Sequence, residues 1–410
     1  MCRRLALAVV GLLVVAAIAA TASSGRTHQK KALSGTVTLS GWTSSGAEFD
    51  LLKQVIAGFE KKYPKIKVNY QPVNGDYPTA MLAKFAARKP PDVFYVDSSV
   101  APDWMSQGVL EPLDSFIKKN HFSTKAFYPR LLNGFEYKGH IYGFPKDWSP
   151  LAMEVNTAML AKAGVSAPQT WGQLIATAKK LQTSGAVPGG APICISPDWA
   201  RLLAFVYQNK GTFLNAAKTA PTVQSPAVKG AVDFYVGLLQ GGLAQTPDKL
   251  SSGWCGEALG KEKAAIIFEG NWVVPFMHDS FPSVKYGIFP MIHAKQHGNL
   301  AFTVSYSMAK DSKNKDLAWV LLSYLTGKQG MQKWTSLGLA LPSRSDVKPA
   351  AGRTAFLTEA PYARAWQFAP KFSTVLTTAN NELTAVMQGK EDVTGMLNKI
   401  AGSASDALKH

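Results

Sequence analysis

The sequence predicts an α/β protein of two domains, built on parallel sheets with helical crossovers. Three observations carry this. The chain has 410 residues, more than one ordinary hydrophobic core fills. Within residues 36–70 the apolar spacing switches from period 2 to the helical period and back. The continuous apolar run 93-VFYV-96 is of the kind that buried parallel strands show.

Residues 1–22 lie outside that fold. Arg3 and Arg4 precede an apolar run from Leu5 to Ala20, and Ala20-Thr21-Ala22 supplies a small-x-small cleavage pattern. This reads as a secretory signal peptide, because the run is short for a membrane span. No cysteine follows the run, so no lipoprotein attachment site is seen; Cys2 leaves with the signal. Residues 23–34 are polar and read as a flexible tether. The mature chain keeps Cys194 and Cys255. In an exported protein these permit one disulfide, and two separate buried thiols are the alternative. Net charge is +17, falling to +15 without Arg3 and Arg4. The lysines are scattered in ones and twos, which describes a solvated basic surface rather than a nucleic-acid groove, and export also counts against nucleic acid.

Val37 and Leu39 alternate with Thr36 and Thr38 as a strand. Phe49, Leu52, Ile56 and Phe59 mark one helix face, and Ser45 followed by Glu48 is a capping box that starts the helix near Ser45. Tyr63-Pro64 ends it, and Ile66, Val68 and Tyr70 alternate again, completing a right-handed crossover unit. A second helix over 78–89 directs Met81, Leu82 and Phe85 inward before Pro90-Pro91 stop it and strand 93–96 follows. Ligands of open α/β sheets bind beyond the carboxyl ends of the strands. Trp42, with Thr43 and Ser44, and the Asp97-Ser98-Ser99 stretch therefore project from the same edge. Further on, Gly139 and Gly143 suggest a hairpin-like turn, and Leu151, Met153 and Val155 alternate as a strand. Helices follow from Asn156 and from Thr170, whose spacing to Gln173 is another capping box and explains Trp171 as packing. Residues 226–240 and 316–326 read as helices, 264–268 as a buried strand, and the chain from about 371 as helical.

The run 59-FEKKYPKIKV-68 resembles the opening of the extracellular solute-binding proteins of bacterial ABC importers, in the sugar-binding branch that includes maltose-binding protein. Further resemblances follow in that family's order: 91-PDVFYVD-97, 108-GVLEPLD-114, 139-GHIYGFP-145, 155-VNTAMLAKAGV-165, 168-PQTWGQL-174, 263-KAAIIFEGNW-272 and 311-DSKNKDLAWVLLSYLTG-327. They span nearly the whole mature chain. The resemblance implies a two-lobed, type II periplasmic-binding-protein-like fold with the ligand cleft between lobes that close by a hinge. Lobe I would hold 35–145 plus 301–345, and lobe II 146–300 plus 346–410.

A sugar presents hydroxyls that donate and accept, and flat C–H faces, so its site needs aromatic platforms with short polar groups between them. The resemblance places candidate platforms at Trp42, Trp148, Trp199, Trp272, Tyr306 and Trp366. It places polar partners at Ser44, Asp97, Ser98, Asp147, Asn271 and Ser305. Trp254, beside Cys255, reads as lobe packing. There is no H-E-x-x-H and no G-x-S-x-G. His293 and His297 are four apart but follow Pro290 in a stretch with little helical face, so they read as loop rather than as a metal pair. Acidic residues are too sparse to suggest a glycosidase pair.

The expectation is a monomeric binding protein without cofactor or metal, periplasmic or held at the cell surface. It would pass a carbohydrate, specifically an oligosaccharide, to the permease subunits of an ABC importer, with an affinity near micromolar, roughly −8 kcal/mol. The alternative is an anionic solute such as a glycerol phosphate or an acidic sugar, motivated by the positive charge. A secreted glycan-active enzyme is a third reading.

Overall fold

The computed structural model describes residues 33–43, 45–366 and 368–409. The signal peptide, nearly all of the tether and the candidate Ser44 lie outside the described residues. Thirteen strands form among those described. They are β1 (Gly35–Gly41), β2 (Ile66–Pro72), β3 (Val93–Asp97), β4 (Glu136–Tyr137), β5 (His140–Ile141), β6 (Gly143–Pro150) and β7 (Ala152–Asn156), then β8 (Ala191–Cys194), β9 (Ala244–Gln245), β10 (Ala264–Glu269), β11 (Tyr286–Phe289), β12 (Asn299–Met308) and β13 (Ala363–Ala365).

The first sheet runs β13-β12-β3-β1-β2, with β6 also paired to β12. In it β1 is parallel to β2 and β3, while β12 is antiparallel to β3 and β6. The second sheet runs β11-β7-β10-β8-β9, with β10 parallel to β8 and antiparallel to β7. Strands β4 and β5 form a hairpin whose Lys138 and Gly139 both take positive φ, 49° and 79°, as a type I′ turn requires.

The capping signals fold as their chemistry dictates. The Ser45 side chain accepts the Glu48 N–H at 3.2 Å and opens helix Gly46–Lys62, which buries Leu51, Leu52, Val55, Ile56 and Phe59. Thr170 does the same for helix Trp171–Thr183, accepting the Gln173 N–H at 3.2 Å. Leu82 corrects the sequence expectation. In helix Tyr77–Ala86 the side packed inward is that of Tyr77 and Met81, and Leu82, turned about 100° from Met81, is 44% exposed.

Two large cores result. One draws on residues 37–144 and 304–347, among them Leu39, Phe59, Phe94, Phe144 and Trp334. The other draws on 151–300 and 366–404, among them Leu174, Trp199, Phe205, Phe268 and Phe372. A small cluster around Leu131, Trp148, Leu341 and Phe356 sits where β6 and β12 pass between them. This is a mixed α/β fold of two lobes joined by long crossover strands. A disulfide links Cys194, at the end of β8, to Cys255, the first residue of helix Cys255–Gly260.

One helix of the second core is finished by a residue of the first. Helix Phe372–Met387 belongs to the second core, and the residue at its N-cap, Lys371, has φ 68° and supplies no side-chain cap. The Asp103 carboxylate, on a helix of the first core, accepts the N–H groups of Lys371 and of Ser373, the latter at 3.3 Å. Nearby, the Ser98 hydroxyl donates to the Trp366 carbonyl at 2.7 Å.

Candidate functional site

Because β1 and β3 pair directly and in parallel, the residues that follow them leave the sheet side by side. Trp42, Thr43, Asp76, Tyr77, Asp97, Ser99 and others line a cavity of about 470 Å³ at this edge. The Trp42 ring meets Tyr77 and Tyr95 edge-on, at 4.9 and 5.1 Å between centroids, a favoured aromatic geometry. Gly41 makes that approach possible, since a Cβ there would lie 2.6 Å from the Tyr95 ring. Asp97 accepts the Ser99 N–H at 2.9 Å and its hydroxyl at 2.5 Å, closing its own turn rather than capping the next helix. Burial pushes the Asp97 carboxyl above its ordinary pKa, against the pull of both Ser99 bonds.

Strand β12 then sorts the candidates by face. Successive side chains alternate across a strand, and directly paired residues share a face. Val304 pairs with Asp97 on one side and Asp147 on the other, Phe302 pairs with Ser149, and Tyr306 with Tyr95. These side chains share one face of the sheet. Along it an aromatic path runs from Trp42 to Tyr95 and on to Tyr306, whose centroid lies 5.3 Å from that of Tyr95. Past Val304 the path resumes at Phe302, whose ring meets Trp272 edge-on at 5.2 Å. Trp42 and Trp272 therefore stand at opposite ends of one surface. Trp272 packs against both large cores.

The Trp272 end is built by strand β10 and the helix after β8. Glu269 ends β10 with its side chain 1% exposed. Its Oε2 accepts the Trp272 indole N–H at 3.1 Å and an Arg201 Nη2 proton at 2.6 Å. Arg201 lies in the first turn of helix Trp199–Gln208, and Asp198, the N-cap, accepts the Arg201 backbone N–H at 2.8 Å and Nη1 at 3.2 Å. The guanidinium sits 5.7 Å from the centroids of both Trp272 and Phe302. Behind them Glu154 is fully buried and accepts the Glu269 N–H at 3.1 Å. Burial, and then the Glu269 charge, push its carboxyl well above the usual range. Burial raises Glu269 too, opposed by Arg201. Asn271 is held by the Ser149 hydroxyl, which accepts its backbone and side-chain N–H at 2.8 and 3.1 Å. Arg201 Nε, Glu154 Oε1, Glu269 Oε1 and Asn271 Oδ1, all buried, find no hydrogen-bond partner among the described residues, so four polar atoms of this layer are unpaired.

Of the residues singled out from sequence, the structure gathers Trp42, Asp97, Asp147, Tyr306, Asn271 and Trp272 around this surface. Among these, Asp147 is buried and engaged by Lys146 and by the Trp334 indole N–H at 2.7 Å, and Tyr306 is 2% exposed, so both build its floor. Others are not brought to it. Trp199 is 0% exposed in the second core and donates to the Ala379 carbonyl at 2.9 Å, leaving no ring face for a ligand. Trp148 pairs with Thr303, on the opposite face from Asp147. Its indole donates to the Pro342 carbonyl at 3.1 Å, and its ring lines a separate, largely apolar cavity of about 580 Å³ with Tyr128, Leu131 and Leu357. Ser305, also on that opposite face, is buried against Ser307 at 2.9 Å. Ser98 is buried, with its hydroxyl on the Trp366 carbonyl. Trp366 is 8% exposed and edge-on to Phe368 in the second core. Arg201, Glu269, Glu154 and Phe302 were not among the sequence candidates. A visible signal existed for two of them: Glu154 and Glu269 are charges set within or at the end of apolar strands, which only a partnered environment tolerates.

Two α/β lobes joined by crossover strands, with aromatic residues of both cores meeting on one surface, define a protein built to enclose a ligand between lobes. The chain belongs to the bacterial extracellular solute-binding protein family, whose sequence pattern matches residues 43–332. A protein of Brucella abortus (strain 2308) named only as a binding protein is 25% identical over 419 residues, covering 97% of this chain and 98% of its own. Among solved structures, an ABC substrate-binding protein of Listeria monocytogenes in complex with cycloalternan superposes with a TM-score of 0.84 at 21% identity, covering 92% of this chain and 100% of that one. UgpB of Mycobacterium tuberculosis in complex with glycerophosphocholine superposes with a TM-score of 0.80 at 19% identity, covering 92% and 99%. No helix among the described residues is long and apolar enough to cross a membrane.

Proposed function

We propose that this protein captures a carbohydrate outside the cytoplasmic membrane and delivers it to the permease of an ABC importer, catalysing no reaction itself. The ligand-binding surface lies between lobe I (35–145 with 301–345) and lobe II (146–300 with 346–410). The observation that carries this reading is the single sheet face with Trp42 at one end and Trp272 at the other. A sugar ring stacks its C–H face on such indoles, and its hydroxyls, donors and acceptors at once, suit a wall of mixed polar groups. The cycloalternan complex of the Listeria relative supports the same reading.

The second reading, an anionic solute, is favoured by the net charge of +15 without Arg3 and Arg4, and the glycerophosphocholine complex, whose ligand is a zwitterion that carries a phosphate, is compatible with it. A thermal-shift panel of neutral mono- and oligosaccharides, uronates and glycerol phosphates decides between the two. A ligand that binds only the folded state raises the melting temperature. Stabilisation by neutral sugars is the expected outcome; stabilisation by phosphates or uronates alone overturns it.

A further inference from the structure

The local charges of the candidate surface run against the charge of the whole chain. At the Trp272 end the single guanidinium of Arg201 is met by two carboxylates, Asp198 at 3.2 Å and Glu269 at 2.6 Å. Behind them, burial and the Glu269 charge push the Glu154 carboxyl well above its ordinary pKa. At the Trp42 end the charged residues lining the cavity are Asp76 and Asp97. On the floor between, Lys146 is bound to Asp147 and lies over the Tyr95 and Trp334 rings. Among the described residues, both cations named on this surface, Arg201 and Lys146, are paired with carboxylates, and carboxylates outnumber them.

Glu269 does two things with one oxygen. Its Oε2 accepts both the Arg201 proton and the Trp272 indole N–H, so the carboxylate that masks the cation also orients the aromatic ring. Arg201 remains 20% exposed in its side chain and lies against the rings of Trp272 and Phe302. An anionic group seated on Trp272 would meet that guanidinium together with two carboxylates competing for it. A neutral hydroxyl would meet polar atoms without the repulsion.

We propose that Glu269, helped by Asp198, is a specificity-determining residue: it masks Arg201, so that the Trp272 surface takes neutral sugars and rejects uronates and phosphates. This rests on the carbohydrate reading of the same surface and adds the class of sugar. Glu269→Gln is close in volume, keeps an oxygen for the Trp272 indole and removes one negative charge beside Arg201. Asp198→Asn removes the other from a more exposed position, with a side chain 26% exposed.

The test is isothermal titration of the mature wild-type protein and both variants. The ligands are a panel of neutral oligosaccharides, the uronic-acid counterpart of the strongest neutral ligand, and sn-glycerol 3-phosphate, each at low and moderate salt. The wild type is expected to prefer the neutral ligand. Glu269→Gln should raise uronate affinity roughly tenfold to hundredfold, as expected for one unit charge unmasked at contact distance, and the gain should shrink as salt screens it. Asp198→Asn should move the same way by less and decides the matter if Glu269→Gln does not fold. If the wild type prefers neutral ligands and neither variant gains uronate affinity, the selectivity proposal falls while the carbohydrate reading stands. If the wild type binds only the anions, or binds no neutral ligand, the neutral-sugar reading of this surface falls and takes this proposal with it.

Discussion

The disulfide between Cys194 and Cys255 closes a loop spanning 61 residues of sequence. Replacing both residues with alanine releases that constraint from the unfolded chain. For a loop of this length the chain-entropy relation gives about 4 kcal/mol at 25 °C. Both residues are nearly fully buried and sit in a small cluster with Leu250, Leu259 and Met277, so alanine leaves a modest void that adds to the loss. If the whole chain melts as one unit, that corresponds to a fall in melting temperature of about 5 °C, and to more if the second core melts alone. The assay is urea unfolding of the oxidised protein and of the Cys194→Ala/Cys255→Ala protein, read by far-ultraviolet dichroism. The m-value should rise in the variant, because an unbridged unfolded chain is more expanded. Asp198 and Arg201 follow Cys194 within seven residues, so the bond also anchors the segment that carries the site's cation. A loss below about 1 kcal/mol would refute the reasoning, since loop closure would then not be what the bond contributes.

Three further outcomes follow from particular side chains. Asp103→Ala should cost about 0.5–2 kcal/mol, as loss of a helix cap does, and should speed amide exchange at Lys371 and Ser373; unchanged protection there would show that the carboxylate does not hold that helix. Glu359 accepts the Met291 N–H and the Asn299 amide, and burial pushes its carboxyl up to about 7. An acid whose pKa is raised on folding binds more protons in the native state, so stability should fall as pH rises from about 4.5 to about 7, by up to about 3 kcal/mol. Glu359→Gln should flatten that slope, and an unchanged melting profile in the variant would contradict the assignment. Trp199→Phe removes the indole bond to the Ala379 carbonyl and should cost about 1–3 kcal/mol with ligand affinity unchanged; a large loss of affinity at unchanged stability would return Trp199 to the site.

The local grammar of this chain was legible and its long-range geometry was not. Ser45 and Thr170 announced their helices because a capping bond involves residues only three apart. The shared edge of Trp42 and Asp97 followed from the crossover rule alone, and the cavity they line lies there. What failed were judgements about faces. Trp148 and Asp147, adjacent in β6, must point to opposite faces, but which of them meets the candidate surface depends on pairing with Thr303 and Val304, more than 150 residues on, and nothing local encodes that register. Trp199 follows a capping aspartate as a ligand-facing residue could, yet its side of the helix is claimed by Phe213 and Ala379. Arg201 escaped notice because its partner Glu269 is 68 residues away. Spacing alone gave the pair no signature.

The central claim is that a neutral sugar stacks on the surface bounded by Trp42 and Trp272. The most direct test is isothermal titration of the mature protein and of Trp272→Ala with the best neutral ligand from the thermal-shift panel. The account predicts wild-type binding near micromolar, about −8 kcal/mol, and a loss of about tenfold or more in the variant. Equal affinity in the two proteins, with the variant's melting temperature unchanged in the absence of ligand, would contradict it.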